Sequence, residues 1–216
     1  MRFLITAGGT REYIDPVRFI SNASSGRMGF ALAKAAMRAA HQVTLIAAPT
    51  ALKRPQGAKV VPVETAAEMF QAVKAHFARC DCLIMAAAVS DYTPAHPSRT
   101  KLKKQSGRIT LQLKPTPDIL KWAGKHRRTP TAHRRPQIIV GFALEDRDLH
   151  ANAERKMREK RLDVIVANAP GAIGTETSTL HVRSANSDWT RISHAQKAGS
   201  ARQIIHLIGR LMQGGD

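Results

Sequence analysis

The sequence predicts an α/β fold, with a Rossmann-like parallel sheet, helices on both faces and a small β extension. Five short runs are apolar almost throughout, at residues 3–6, 43–47, 82–87, 138–142 and 164–167. Strands that are apolar on both faces are typical of parallel sheets covered by helices on both sides. Helical patterns separate these runs, and this alternation is characteristic of α/β folds. A length of 216 residues suits one such domain, so we assign 1–216 to a single domain.

The helices are predicted from composition and from capping signals. Residues 28–40 are rich in Ala, Met and Leu, and later helices are predicted at 66–78, 118–124, 148–161 and towards Met212. Thr65 and Glu68 have capping-box spacing, in which each side chain satisfies a backbone donor of the other. Ser193 and Gln196 have the same spacing and predict the start of the last helix.

Two stretches interrupt the alternation of strands and helices. Residues 90–114 are rich in proline, polar and basic residues, and end in the alternating run Ile109, Leu111, Leu113. We interpret this stretch as a long functional loop followed by a β segment. Residues 178–192 are typical of a hairpin with its turn at 186–188, and this hairpin is the predicted β extension.

The net charge of +18, from 34 Lys and Arg against 16 Asp and Glu, favours anionic partners. Nucleic acid is one such partner, but aromatic residues make up only 5% and no zinc-finger or RNP pattern is present. Residues 121–135 form a basic cluster, expected to be a solvated helix end and loop. Weak anion binding is the alternative.

The N-terminal apolar run is too short for a signal peptide, and no apolar run approaches the roughly 18 residues of a membrane span. A cytoplasmic protein is therefore expected. Cys80 and Cys82 are separated by one residue, which suits neither a disulfide nor a zinc site. Both are expected to be buried as small apolar residues.

Two pairs of glycines bracket a long polar loop near the N-terminus. Gly8 and Gly9 end the first strand, whereas Gly26 and Gly29 open the first helix, so this is not the compact G-x-G-x-x-G of dinucleotide-binding proteins. Ser24, Ser25 and Gly26 resemble a helix N-cap whose amides and dipole favour phosphate. A cap without a ligand is the simpler alternative.

The loop between the glycines concentrates polar groups at the carboxyl end of a strand. Arg11, Asp15, Arg18 and Asn22 lie within twelve residues, and Pro16 restricts the backbone between them. Because α/β sheets bind ligands at the carboxyl ends of their strands, we expect a ligand site here.

Two further segments carry candidate ligand-binding residues. After the strand at 82–87, small alanines are followed by Asp91 and by the lysine run 101–104, a candidate triphosphate clamp or else a solvated basic edge. Asp91 suits either Mg²⁺ or the base and ribose of a nucleotide. Lys156 and Lys160 share one helix face because they are four residues apart, and Asn168 ends the next strand.

These motifs together resemble the phosphopantothenate–cysteine ligase family of coenzyme A biosynthesis, specifically its bacterial CTP-using members. The matching segments are ITAGGTRE, IDPVRFISNASSGRMG, AAAVSDY, KLKK, TPDIL, VGFALE and DVIVAN, in the family's order from residue 5 to residue 168. Family members are commonly fused to a flavin-dependent decarboxylase. Since no flavoprotein half precedes Met1, a free-standing version is expected. Gly9, Tyr13 and Arg27 depart from residues common in the family.

The resemblance implies roles for individual residues. Lys101 would promote formation of the acyl-cytidylate, Asn22 would contact this intermediate, and Arg18 would serve the cysteine-addition step. The expected phosphopantothenate-binding residues are Arg18, Asn22, Ser25 and Gly26. The expected nucleotide-binding residues are Gly8, Ala87, Ala88, Asp91, Lys101, Pro117, Asp118, Ile119, Phe142, Lys156 and Lys160.

The resemblance also implies the reaction and its partners. The carboxylate of 4′-phosphopantothenate attacks the α-phosphate of CTP and releases pyrophosphate. The amine of L-cysteine then attacks the acyl-cytidylate and releases CMP. Mg²⁺ is the expected cofactor, with metal ligands left open, and a homodimer and a separate phosphopantothenoylcysteine decarboxylase are the expected protein partners. No membrane and no specific nucleic acid are expected.

Two other classes of function are weaker matches to the sequence. A nicotinamide-dependent reductase would normally carry Tyr-x-x-x-Lys, but Val17 and His96 stand four residues after Tyr13 and Tyr92. A basic nucleic-acid-binding protein would show binding to generic DNA or RNA that weakens steeply with salt.

Overall fold

The computed structural model describes residues 1–213 except 105, 129, 131–135, 173, 174, 176 and 186. The strands are β1 (Arg2–Ala7), β2 (Arg11–Tyr13), β3 (Phe19–Ser21), β4 (Gln42–Ala47), β5 (Lys59–Pro62), β6 (Cys82–Met85), β7 (Tyr92–Pro94), β8 (Leu113–Pro115), β9 (Ile138–Leu144), β10 (Val164–Asn168), β11 (Thr177–Ser184) and β12 (Thr190–Gln196). The helices are α1 (Arg27–Arg38), α2 (Ala66–Phe77), α3 (Ile119–Lys125), α4 (Leu149–Lys160) and α5 (Lys197–Gln213).

The main sheet runs in the order β12-β11-β10-β9-β6-β1-β4-β5. Six neighbouring strands of this sheet are parallel: β5, β4, β1, β6, β9 and β10. Strands β11 and β12 are antiparallel and form the extension. If these six parallel strands are numbered by their order along the chain, their order across the sheet from β5 to β10 is 3-2-1-4-5-6, which is the Rossmann arrangement. The predicted fold class is confirmed, and the order reverses between β1 and β6.

Apolar side chains cover both faces of this sheet. Along β1, Phe3 and Ile5 face the layer formed with α1 and α5, while Leu4 faces the layer formed with α2, α3 and α4. All three side chains are almost completely buried. Burial on both faces is the physical reason that these strands read as continuous apolar runs rather than alternating ones.

Parts of the structure differ from the predictions. Strand β5 was not predicted, because it is a four-residue edge strand that ends in proline, and neither were the three-residue strands β2, β3 and β7. The alternating run at 109–113 is not a strand before Leu113, and Ile109 is exposed, so its alternation has no core to face. Ser193 and Gln196 do not cap the last helix, because both lie in β12 and the helix begins at Lys197.

The smaller predictions are mostly confirmed. Thr65 caps α2 through its hydroxyl, 3.1 Å from the amide of Glu68, while the Glu68 carboxylate reaches the amide of Glu64 rather than that of Thr65. Cys80 and Cys82 are free and buried. Part of the hairpin turn, at 186, lies outside the described residues, as does part of the basic cluster.

The described part of the basic cluster is not simply solvated. Arg127 pairs with Asp163 at 2.8 Å, and the backbone amide of Arg128 donates to the side chain of Gln137 at 2.8 Å. Both contacts hold the segment after α3 against the sheet. Among the described residues, no helix combines the length and the apolar character needed to cross a membrane.

Candidate functional site

A crevice of about 660 Å³ lies at the carboxyl edge of the sheet, beside the point where the strand order reverses. The start of α1, the loop after β6, the start of α3, the end of β9 and one face of α4 all contribute to its walls. Twelve sequence-predicted residues line it: Asn22, Ser25, Gly26, Ala87, Ala88, Asp91, Pro117, Asp118, Ile119, Phe142, Lys156 and Lys160. Gly8, Arg18 and Lys101 do not belong to its lining.

Backbone contacts between the loops after β1 and β6 build one wall of the crevice. The amide of Ala88 donates to the carbonyl of Gly8 at 2.8 Å, which places Gly8 behind the lining rather than in it. The Asn22 side-chain amide donates to the carbonyls of Ala88 and Val89 at 3.3 and 3.1 Å. Asn22 therefore joins the two loops and reaches the crevice at their junction.

The first helix begins at the crevice with a glycine rather than a serine cap. Gly26 is the N-cap residue, with φ of +74°, a conformation that favours glycine, and no side chain caps the helix. The predicted N-cap within residues 24–26 is confirmed at Gly26, but the alternative in which the serines cap the helix is wrong, since the Ser24 hydroxyl accepts from the amide of Gly26 itself, at 3.3 Å. Because no cap side chain competes, the amide end of α1 is suited to an anionic group.

Close packing fixes the position of this helix. A Cβ atom on Gly29 would lie 2.5 Å from the Cβ of Ala7 and 2.8 Å from the carbonyl oxygen of Thr6. The absence of a side chain lets α1 approach β1 closely, as the last glycine of a dinucleotide-binding loop does. The N-terminus of α1 is thereby held at the end of β1.

A second basic group lies on the α3 and α4 side of the crevice. Lys156 Nζ donates to the carbonyl of Phe142 at 2.8 Å, and Lys160 Nζ lies 2.9 Å from the carboxylate of Asp118. Burial, reinforced by the charge of Lys160, lowers the pKa of Lys156. The i, i+4 prediction that both lysines share one helix face is confirmed, since both line the crevice.

Asp118 has two functions at this edge. Its carboxylate caps α3 by accepting from the amide of Lys121 at 2.9 Å, and it also pairs with Lys160. Burial by itself would raise the pKa of Asp118, but these two contacts outweigh it and lower the pKa. The carboxylate is therefore anionic at neutral pH and offsets part of the lysine charge.

Sequence reasoning missed a cation on the opposite wall. Lys197, the first residue of α5, lines the crevice together with Arg27. Burial, followed by the charge of Arg27, lowers the pKa of Lys197. No sequence signal pointed to Lys197, because it reaches the crevice only through the β11–β12 hairpin that precedes it.

Arg18 and Lys101 lie together outside the crevice. Asp15, Arg18 and Leu102 are joined by hydrogen bonds, so the loop before β3 holds the segment that contains Lys101. The Lys101 side chain is exposed. The structure thus groups two of the three predicted catalytic residues, and places the third, Asn22, in the crevice wall.

Few side chains of the described residues are placed to coordinate a metal ion. Among the described residues, no group of three or more His, Cys, Asp or Glu side chains is placed to hold one. Mg²⁺ bound with a nucleotide uses one or two carboxylates, phosphate oxygens and water. Asp91 and Asp118, which both line the crevice, fit that requirement.

Comparison with known proteins gives a consistent set of matches. The family model described as DNA/pantothenate metabolism flavoprotein C-terminal domain matches residues 1–211. The coenzyme A biosynthesis bifunctional protein CoaBC of Bacillus subtilis is 46% identical over 184 residues, which is 83% of this chain and 44% of that protein. A cysteine/cysteine sulfinic acid decarboxylase from an unknown prokaryotic organism is 42% identical over 212 residues, covering 96% of this chain and 57% of the relative.

A solved structure of the C-terminal domain of a CoaBC protein superimposes with a TM-score of 0.82 at 34% identity. That match covers 99% of this chain and 96% of the solved domain. The chain spans about half the length of the two curated relatives, 44% and 57% respectively, and nearly all of the isolated C-terminal domain.

Proposed function

The chain belongs to the family of DNA/pantothenate metabolism flavoprotein C-terminal domains, and on that premise we propose that it is a CTP-dependent ligase joining 4′-phosphopantothenate to L-cysteine. One observation carries the proposal. A single crevice at the Rossmann switch point has cationic side chains on two opposite walls, Lys156 and Lys160 on one and Arg27 and Lys197 on the other. Two anionic substrates that must react with each other require such a site.

The nucleotide belongs on the α3 and α4 side in this proposal. Ala87 and Ala88 leave the backbone open to a flat base or a ribose, and the two lysines of α4 face the phosphates. Lys156 supplies the stronger attraction, because it donates to the neutral carbonyl of Phe142 whereas Lys160 is paired with the carboxylate of Asp118. The remaining predicted nucleotide contacts, Pro117, Ile119 and Phe142, form the adjoining wall.

Phosphopantothenate belongs on the α1 and α5 side. Its phosphate matches the amide end of α1 at Ser25 and Gly26, together with Arg27 and Lys197. Its carboxylate would then point towards the centre of the crevice, where it meets the α-phosphate of the nucleotide. Holding both reactants in one site removes much of the entropic barrier to their reaction.

The first step forms a mixed anhydride. A carboxylate oxygen attacks the α-phosphorus, the bond to the β-phosphate oxygen breaks, and pyrophosphate leaves. Cationic side chains stabilise the charge that develops on the α-phosphate. Lys101 is proposed for this role. Its side chain is exposed outside the crevice lining, so it has to extend to the bound phosphate from a backbone that is held at the next residue, Leu102.

In the second step the cysteine amine attacks the acyl carbonyl, loses a proton and displaces CMP. Asn22 stands at the junction of the two loops, where the activated carbonyl is expected. Its amide hydrogens already bond to Ala88 and Val89, so stabilising the carbonyl oxygen requires Asn22 to exchange one of these bonds for the substrate. Arg18 remains the proposed partner of the cysteine-addition step.

Mg²⁺ is part of the proposal, and Asp91 and Asp118, which both line the crevice, are the carboxylates proposed to hold it. When bound, the ion would neutralise phosphate charge and orient the nucleotide. Asp91 also contributes electrostatically without the ion, since its negative charge favours the protonated form of Lys156.

A homodimer is proposed from the distribution of exposed apolar residues. Strands β2 and β3 form one antiparallel ribbon and β7 and β8 form another, and the two contact each other. Apart from Leu144, the exposed large apolar side chains of the described residues lie on these ribbons and on the chain around them: Val17, Phe19, Tyr92, Leu102, Ile109, Leu111 and Leu113. Such a concentration is typical of a protein interface.

The same proposal includes a cytoplasmic location. It also includes a separate decarboxylase, because the ligation product retains the carboxylate of cysteine. The decisive experiment follows pyrophosphate release with phosphopantothenate and cysteine, comparing CTP with ATP. We expect release with CTP, with CMP as the second nucleotide product. Absence of release with either nucleotide, or release of CO₂ from cysteine alone, would overturn the proposed ligase function.

A further inference from the structure

The carboxylate of Asp15 is a buried hub that joins two distant loops. Its side chain is 0% exposed. Oδ1 accepts from the amides of Val17 and Arg18, both at 2.8 Å, and Oδ2 accepts from Arg18 Nε at 2.9 Å and from the amide of Leu102 at 3.1 Å. The first three bonds shape the local turn, whereas the bond to Leu102 reaches a segment that follows β7.

Arg18 completes the attachment by binding the carbonyl group of Leu102, whose amide is bound by Asp15. Its guanidinium pairs with Asp15 and also donates to the carbonyl of Leu102 at 2.5 Å. Both backbone groups of Leu102 are therefore held, the amide by Asp15 and the carbonyl by Arg18. A further backbone bond, from Ser98 to Ile14 at 2.8 Å, ties the same segment to the start of the turn.

Apolar packing does not hold this segment. The Leu102 side chain is 37% exposed, and the neighbouring Lys101, Lys103 and Lys104 are exposed. Among the described residues, the Lys101 ammonium has no hydrogen-bond or ion-pair partner. The position of Lys101 thus depends on the attachment of the next residue.

We propose that Asp15 is a positioning residue for Lys101, acting through its bonds to Arg18 and to the backbone of Leu102. The inference rests on the proposed ligase function, in which Lys101 serves the acyl-cytidylate step. Strand β3 leads from the same turn to Asn22 in the crevice wall. One turn consequently sets the place of two groups that act on the activated carboxyl.

The electrostatics of the hub agree with this geometry. Burial by itself would raise the pKa of Asp15, but the hydrogen bonds from Val17, Arg18 and Leu102 outweigh it and hold the pKa well below its usual range. The carboxylate is thus ionised at neutral pH and balances the Arg18 charge. An amide of the same size cannot supply that charge or accept as strongly from the same donors.

The test uses Asp15→Asn, with Leu102→Pro as a second variant that removes the amide bonded to Asp15 and leaves the Asp15 carboxylate intact. Leu102→Pro alters an exposed residue, so it keeps the test valid if the first variant fails to fold. Asp81→Asn is the control, because Asp81 is a partly buried carboxylate that is likewise paired with an arginine, at 2.8 Å from Arg2, and directly precedes β6. That site is at the opposite, amino edge of the sheet.

Two measurements separate this inference from the ligase proposal. Trypsin cleavage after Lys103 and Lys104 needs no substrate, and it should be about tenfold faster in both test variants than in Asp81→Asn, because cleavage follows opening of the segment. Cleavage after Lys101 is not scored, because trypsin does not cut the Lys–Pro bond that Leu102→Pro creates. Single-turnover formation of the acyl-cytidylate should slow by about 10²-fold in Asp15→Asn, as expected for misplacement of a catalytic group. The KM for CTP should change little.

The outcomes are distinguishable. Unchanged trypsin cleavage would overturn the proposed attachment. Faster cleavage with an unchanged rate of acyl-cytidylate formation, or an equal loss of rate in Asp81→Asn, would overturn the positioning role. If the unaltered protein forms no acyl-cytidylate, the ligase proposal fails and the positioning role fails with it, whereas the cleavage result still decides whether the attachment exists.

Discussion

Replacing Lys156 with methionine should weaken nucleotide binding strongly while changing stability little. The Nζ atom of Lys156 lies 2.8 Å from the carbonyl oxygen of Phe142, and the side chain lines the crevice. Methionine keeps the unbranched side chain and its packing but removes the charge. The substitution therefore isolates the electrostatic contribution of one ammonium group.

Two opposing terms set the expected effect on stability. Losing the hydrogen bond to Phe142 costs about 1 kcal/mol. Removing a half-buried charge returns part of its desolvation penalty, which the lowered pKa of Lys156 reflects. The free energy of unfolding should therefore change by less than about 1 kcal/mol.

The effect on binding has no such offset. A hydrogen bond from an ammonium to a phosphate contributes about 2 kcal/mol, so the KM for CTP should rise about 30-fold. The lowered pKa of Lys156 adds a pH dependence. In the unaltered protein CTP affinity should fall as pH rises through this pKa, below the ordinary lysine value, because only the protonated amine attracts phosphate. The variant should lack that decline.

The assay combines pyrophosphate release at varied CTP concentration with calorimetric titration of CTP in the absence of phosphopantothenate. Lys34→Met is the control, because Lys34 is exposed on α1 and does not line the crevice, yet the change in net charge is the same. A KM for Lys156→Met within about twofold of the Lys34→Met value would refute the reasoning, since about 0.4 kcal/mol is too small for a phosphate contact.

Three other outcomes are expected. Gly29→Ala should lower the free energy of unfolding in urea by about 1–2 kcal/mol through crowding, whereas Gly209→Ala, with open space around its Cβ, should raise it by up to about 1 kcal/mol; equal effects would contradict the close packing of α1. Burial raises the pKa of Cys80 to about 12 and also raises the pKa of Cys82 well above its usual value, so a thiol reagent should label both only after unfolding. Rapid labelling of the native protein would count against their burial. Lys197→Ala should raise the KM for phosphopantothenate about tenfold and the KM for CTP much less. A larger rise in the KM for CTP would mean that the nucleotide, and not phosphopantothenate, binds on the α1 and α5 side.

Features that depend on local periodicity could be predicted from the sequence. The buried parallel strands were predicted because each run is apolar on both faces, and α2 because Thr65 and Glu68 mark its start. The same local rules failed where no core enforces them. Alternation around Ile109 has no buried face, and the capping-box spacing at Ser193 occurs by coincidence within β12.

The residues of the candidate site likewise fall into those that local spacing predicts and those that depend on tertiary packing. Lys156 and Lys160 could be paired from their helical spacing, and both line the crevice. Lys197 could not be found, because its place depends on the path of a hairpin. The contact between Asp15 and Leu102 was equally hidden, since it joins residues 87 positions apart and depends on how two ribbons pack.

The inserted turn explains how a Rossmann sheet can be adapted to the acyl activation that we propose. In a dinucleotide-binding loop the chain passes directly from β1 into α1. Here α1 keeps that position, because Gly29 packs against the end of β1, yet the turn that carries Asp15 is inserted before it. Asn22 returns the insertion to the loop after β6, so the crevice stays closed on that side. The helix N-terminus therefore remains available for one phosphate, while the inserted turn occupies the space of a second nucleotide half with the groups that we propose act on a carboxyl.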